Sequence, residues 1–126
     1  MKQLSGSDNQ FLVSERKNVY NHVASLCIYD VSTAPGGKVR YKDILKHFED
    51  RMHVNPIFHR RLAEVPFGLD RPYWVDQGEV DMEFHIRHIA LPAPGDWRQL
   101  MIQVARLHSR PLDRTRPMWE AYVIEG

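Results

Sequence analysis

Apolar positions recur along this chain with two periods, and each predicts a different element. From Tyr41 the residues Tyr41, Ile44, Leu45, Phe48 and Met52 fall on one face of a helix, with Lys42, Asp43, Lys46, Glu49 and Asp50 on the other. Arg40, just before, is no obvious cap, so the start of this helix is unmarked. Pro56 suits a first helical turn and predicts a second short helix running through Arg60 to Leu62. A third helix starts at Asp96, a capping residue with Gln99 three positions on, and is expected to bury Trp97, Leu100, Met101, Val104 and Ala105 until Pro111 stops it. Ser7 to Gln10 has the same Ser-x-x-Gln capping pattern ahead of Phe11, Leu12 and Val13, which predicts a short helix near the N-terminus.

The other period is two. Val80, Met82, Phe84 and Ile86 alternate with Asp81, Glu83, His85 and Arg87, the pattern of a strand with one face buried and one in water. Tyr73 to Gln77 is a further short strand closed by Gly78, and Trp119 to Ile124 is the last. His22 to Tyr29, "HVASLCIY", is apolar with no Gly or Pro and ends in the "APGG" turn; it is expected to be a strand buried on both faces. Helices thus interleave with strands, which predicts a two-layer α/β sandwich with a mixed sheet.

Composition narrows the function classes. The 126 residues carry 17 Lys+Arg against 16 Asp+Glu, a net charge of +1, so no global field gathers nucleic acid or anionic membrane. No apolar stretch approaches the roughly 20 residues that span a bilayer, and "MKQLSGSDNQ" lacks an apolar signal core. The single cysteine, Cys27, excludes an internal disulfide and fits a reducing cytoplasm; in an apolar strand it is expected to be a buried, inert thiol.

The residue pattern itself marks no catalytic constellation. His47, His53 and His59 are six apart, about 120° from one neighbour to the next around a helix, and do not converge on a metal. His85 and His88, three apart on a strand, face opposite sides. Arg60 and Arg61 beside His59 make a weak anion patch, best read as a solvated helix end. Arg106, His108, Arg110, Arg114 and Arg116 surround Asp113. Interleaved with prolines rather than glycines, they fit an Arg–Asp network that fixes a turn better than a phosphate cradle. No metal ligands or cofactor loop are recognised.

A resemblance adds what the pattern does not. "PLDRTRPMWEAYVIEG", Pro111 to Gly126, resembles a segment of the bacterial wax ester synthase/diacylglycerol acyltransferase family, PLDRxRPLWE followed by an apolar strand and EGL, with Met118 in place of the usual Leu. "LSGSDNQFL" (residues 4–12), "NPIFHRRLAEVPFGLDRPYWVDQ" (55–77) and "FHIRHIALPAPGDWRQL" (84–100) are similar to further segments of that family in the same order, with His59 replacing a usual Arg. The resemblance implies a chloramphenicol acetyltransferase-like fold and a reaction in which a histidine of an HHxxxDG motif activates a lipid alcohol toward acyl-CoA. It implies no permanently bound cofactor, with acyl-CoA as co-substrate and a fatty alcohol or diacylglycerol as acceptor. Contact with a membrane or lipid droplet is also implied. That motif would follow "YVIEG", and none of the seven histidines here is adjacent to another. Residues 1–126 are accordingly expected to be the N-terminal part of such an enzyme, with no catalytic residue of their own. Pro117, Met118 and Trp119 are pocket or scaffold candidates, and the last strand is expected to seek the remainder of the enzyme or a second copy. A non-catalytic lipid-binding scaffold and a condensation-type domain are the alternatives.

Overall fold

A computed structural model describes residues 1–126 throughout. Its elements are β1 (Lys2–Gln3), α1 (Gly6–Val13), α2 (Tyr41–Glu49), β2 (Arg60–Ala63), β3 (Tyr73–Asp76), α3 (Met82–His85), β4 (Ile86–Ala90), α4 (Trp97–His108) and β5 (Ala121–Glu125). The α/β architecture is as expected, and both pairing senses occur, divided between two sheets. β1, β3 and β2 form an antiparallel sheet in that order, whereas β4 and β5 form a parallel pair. The parallel pair runs from Ile86 opposite Ala121 to Ala90 opposite Glu125, and the connection carries α4, as a parallel crossover requires.

Where the signals are local, the helices form where the pattern places them. α4 has a complete capping box: Asp96 Oδ1 accepts from the Gln99 N–H at 2.8 Å, and Gln99 Oε1 accepts from the Asp96 N–H at 3.1 Å. α1 is capped by Ser5 rather than Ser7; the Ser5 hydroxyl accepts from the Asp8 N–H at 3.1 Å. α2 keeps the predicted face, with Tyr41, Ile44, Leu45 and Phe48 half-buried and the lysines and acids exposed. Its two ends are tied to β4 and to the approach to β5. The Tyr41 hydroxyl donates to the Ile86 carbonyl, and the Phe48 ring stacks on Trp119 with centroids 6.2 Å apart.

Four expectations are corrected. Residues 22–29 form no strand: they enter no ladder, and Val23, Ile28 and Tyr29 are exposed, as is Cys27. An apolar, β-branched run favours an extended chain, but a strand needs a neighbour to take its N–H and C=O groups. The helix expected from Pro56 to Leu62 is one 3-10 turn, Pro56–Phe58, followed by β2, because Arg60 to Ala63 pair with β3 in register Arg60–Asp76 to Ala63–Tyr73. The strand expected over Val80–Ile86 begins only at Ile86. Ahead of it Asp81 Oδ1 accepts from the Phe84 N–H at 3.2 Å and caps the turn of α3, a local bond that overrides the alternating pattern. On α4, Leu100 and Val104 are half-buried, but Trp97, Met101 and Ala105 are exposed.

The fully buried apolar positions are few: Leu4 and Leu62 on the antiparallel side and Ile86 on the parallel side. His85, next to Ile86 in sequence, and Pro117 are buried as well. No helix is long and apolar enough to cross a membrane.

Candidate functional site

The segment Pro117–Trp119 leads into β5, and its surroundings are assembled from three other parts of the chain. Pro117 is buried, and Met118 and Trp119 are half-buried. The Trp119 N–H donates to the Pro117 carbonyl at 2.9 Å, so the three residues make a tight turn. The Trp119 indole N–H donates to the Phe58 carbonyl at 3.0 Å, and the Phe58 ring meets the indole edge-on at 5.4 Å. Phe48 of α2 covers it on the stacked side. Trp119 therefore anchors α2 and the Pro56–Phe58 turn, not the helix before it, and it precedes β5 instead of beginning it.

His85 completes the cluster. Its ring stacks on Trp119, centroids 4.5 Å apart and planes at 21°, and its Nδ1 lies 2.7 Å from the Trp119 carbonyl oxygen. Only 1% of the residue is exposed, and Nε2 is buried without a partner. Residue spacing alone does not mark His85 as a partner of a residue 34 positions away; the one available signal is that both lie in segments that resemble the same family. His88 is separate: it is exposed on β4, stacks on Tyr41 at 5.2 Å and sits 3.2 Å from Glu125.

Around Phe84 the charges are organised by a ring. Arg116 lies over it at 3.9 Å and Arg87 at 4.6 Å, an arrangement of guanidinium cations on an aromatic face. Arg116 also reaches Asp113 at 3.4 Å and Asp81 at 3.8 Å. Thr115 donates its hydroxyl and its N–H to Asp113, which with the nearby Arg116 holds that carboxyl below the usual range. Arg114 donates to the Leu12 carbonyl and to Glu15. Burial raises the Glu15 carboxyl, but the Asn21 N–H and the Arg114 bond and charge outweigh it, and the net direction is down. This is an arginine–carboxylate network that fixes the turn before β5. Arg106 and Arg110 are exposed and stand apart from it.

The remaining candidates lie elsewhere. His47 is exposed on α2 and His53 is exposed in the following turn, whereas His59 is half-buried with Nδ1 3.4 Å from Asp76. Arg60 lies over Trp74 at 4.3 Å with its buried Nε unpaired, and the Arg61 guanidinium donates to the Leu62 carbonyl.

The profile of the wax ester synthase/diacylglycerol acyltransferase catalytic domain matches residues 4–126. A relative named as a diacylglycerol O-acyltransferase in Mycobacterium tuberculosis is 36% identical over 126 residues, covering 100% of this chain and 26% of the relative. Another from that organism is 38% identical over 124 residues, covering 98% of this chain and 45% of the relative. The solved wax ester synthase/diacylglycerol acyltransferase of Marinobacter aquaeolei VT8 superposes with a TM-score of 0.72 at 29% identity, covering 100% of this chain and 30% of that one. This chain thus spans between about a quarter and a half of the length of these relatives. Matched by the catalytic-domain profile over residues 4–126, the chain belongs to the wax ester synthase/diacylglycerol acyltransferase family.

Proposed function

We propose that this chain is the N-terminal part of the catalytic domain of an acyl-CoA-dependent O-acyltransferase that esterifies diacylglycerol or a long-chain alcohol. The observation that carries this is the unbroken family match from residue 4 to 126, through the Pro117–Trp119 turn. In this reaction the acceptor hydroxyl attacks the thioester carbonyl, the C–S bond breaks and CoA leaves as its thiol. An alcohol is too weak an acid to ionise at neutral pH, so a neutral imidazole within hydrogen-bond reach takes its proton as the C–O bond forms and returns it to the departing sulfur. None of the seven histidines here sits in a His-His pair. In this proposal the base belongs to polypeptide outside residues 1–126, and this chain supplies walls and scaffold for the acyl channel. The acceptor is lipid, so the enzyme meets it at a membrane or droplet surface.

The test is CoA release from palmitoyl-CoA in the presence of diacylglycerol or hexadecanol. A longer polypeptide that carries residues 1–126 followed by the histidine motif is expected to turn over, and residues 1–126 alone are not. Turnover by residues 1–126 alone, abolished by changing one of their own histidines, overturns the assignment of the base. Lipid binding without turnover by the longer polypeptide favours a non-catalytic scaffold.

A further inference from the structure

We infer that His85 is a positioning residue. Held as the Nδ1–H tautomer, it clamps the Trp119 peptide and so sets where β5 starts against β4. The inference begins with proton accounting. A carbonyl oxygen carries no hydrogen, so in the 2.7 Å contact between His85 Nδ1 and the Trp119 oxygen the imidazole donates. Nδ1 therefore bears the proton, and in the neutral ring Nε2 is left with a bare lone pair. That lone pair is buried and unpartnered. An unpaired buried acceptor is unfavourable, and a phenyl ring would fill the same space without it. What distinguishes histidine here is the directed N–H at Nδ1.

The placement gives the bond its leverage. His85 is the last residue of α3, and Ile86, fully buried, is the first of β4. Trp119 stands two residues before Ala121, the register partner of Ile86. One side chain thus bonds the approach to β5 from the position adjoining the start of β4. The Trp119 indole, stacked on the same His85 ring, donates to the Phe58 carbonyl, so the side chain of the clamped residue is fixed as well. A one-residue slip of β5 would turn its side chains to the opposite face, so a clamp at its first turn governs what the strand presents. The consequence for catalysis rests on the acyltransferase proposal; the clamp itself does not.

The test uses residues 1–126 with 15N-labelled histidine and three variants. In the unmodified protein, His85 is expected to show a protonated Nδ1 and an unprotonated Nε2 at neutral pH; the opposite tautomer overturns the inference. His85→Asn keeps an N–H donor near the Nδ1 position, His85→Gln moves it toward Nε2, and His85→Phe keeps only a ring. Amide exchange from Ala121 to Glu125 should stay near wild type in His85→Asn. It should quicken about tenfold in His85→Gln and His85→Phe, the scale of one lost hydrogen bond. Equal protection in His85→Phe overturns the inference in favour of packing alone. Far-UV circular dichroism identifies a variant that does not fold, and the tautomer measurement decides in that case. In the longer enzyme, His85→Phe should lower kcat with KM little changed, and His85→Asn should restore it. An inactive wild-type enzyme with the tautomer and rescue pattern intact sinks the acyltransferase proposal and leaves the clamp standing.

Discussion

Arg114 and Glu15, 99 residues apart in sequence, meet through Nη2 and Oε2 at 2.6 Å. The same guanidinium nitrogen donates to the Leu12 carbonyl at 3.0 Å, and the other Glu15 oxygen accepts the Asn21 N–H at 2.9 Å. The loop before β5 is in this way fastened to the end of α1. Glu15 has a depressed folded-state pKa, so its contribution is fully present above the ordinary glutamate value of 4.5 and is lost as pH falls through the lower folded value. Glu15→Gln should therefore lose part of the wild-type protein's acid dependence of stability and cost about 1–2 kcal/mol at neutral pH, a moderate figure because Arg114 is partly exposed. Urea titrations at neutral and acid pH measure both, and parallel pH profiles for the two proteins would remove the Arg114–Glu15 pair as the cause of the acid dependence.

Trp119 joins Phe48, Phe58 and His85, so truncating it separates three elements at once. Trp119→Ala should cost about 3 kcal/mol, the low end of the range for a large core ring because the residue is only half-buried. Trp119→Phe keeps the stacking and loses the indole bond to Phe58, at about 1 kcal/mol. The unfolding midpoint in denaturant reports both. An unchanged midpoint for the alanine variant would assign the ring to surface contact.

Elements specified by neighbouring residues were legible, and elements specified by distant ones were not. The Asp96–Gln99 box and the spacing from Tyr41 to Phe48 carry their helices within a few residues. "DMEFHI" satisfies the strand period, yet the side chain of Asp81 three residues before Phe84 turns it into a helical turn. Arg60 to Leu62 follow a proline and fit a helical turn locally, but their state is decided by β3, which lies beyond the 3-10 turn at Pro66–Gly68. Resemblance alone singles out the Trp119 turn. Its partners, His85, Phe58 and Phe48, come from three other places in the sequence, and no periodicity links them.

Gly95 precedes α4 with φ +68, and a Cβ there would lie 2.9 Å from the Gly126 carbonyl carbon, inside the closest approach of real Cβ atoms. Backbone of this kind does not yield as a flexible side chain does. Gly95→Ala should destabilise by about 1–3 kcal/mol through strain at positive φ together with this clash. Loss of amide protection should concentrate at the Leu91 N–H, which donates to Glu125 at 2.7 Å beside the same contact. A neutral effect on stability would mean that the β5 terminus moves away at little cost.

The final prediction concerns residues 22–29, where sequence and structure part most widely. Val23 is 93% exposed and Tyr29 is 79% exposed, in a run of eight residues with no ladder partner. Their backbone amides should exchange at close to unfolded rates, and Cys27 should react with a thiol reagent without a lag, since its thiol is neither buried nor bonded. β5 has a partner on one side only, so a second unpaired edge accompanies this run. Extended apolar backbone with open N–H and C=O groups recruits other chains. Residues 1–126 should therefore self-associate at tens of micromolar, at roughly the concentrations where exposed edges meet, and association should slow both the exchange at 22–29 and the alkylation of Cys27. Light scattering and thiol kinetics across a dilution series check this together. If Cys27 becomes protected while the protein stays monomeric, the segment folds back on its own chain. If association leaves Cys27 as reactive as before, the contact runs through β5 instead.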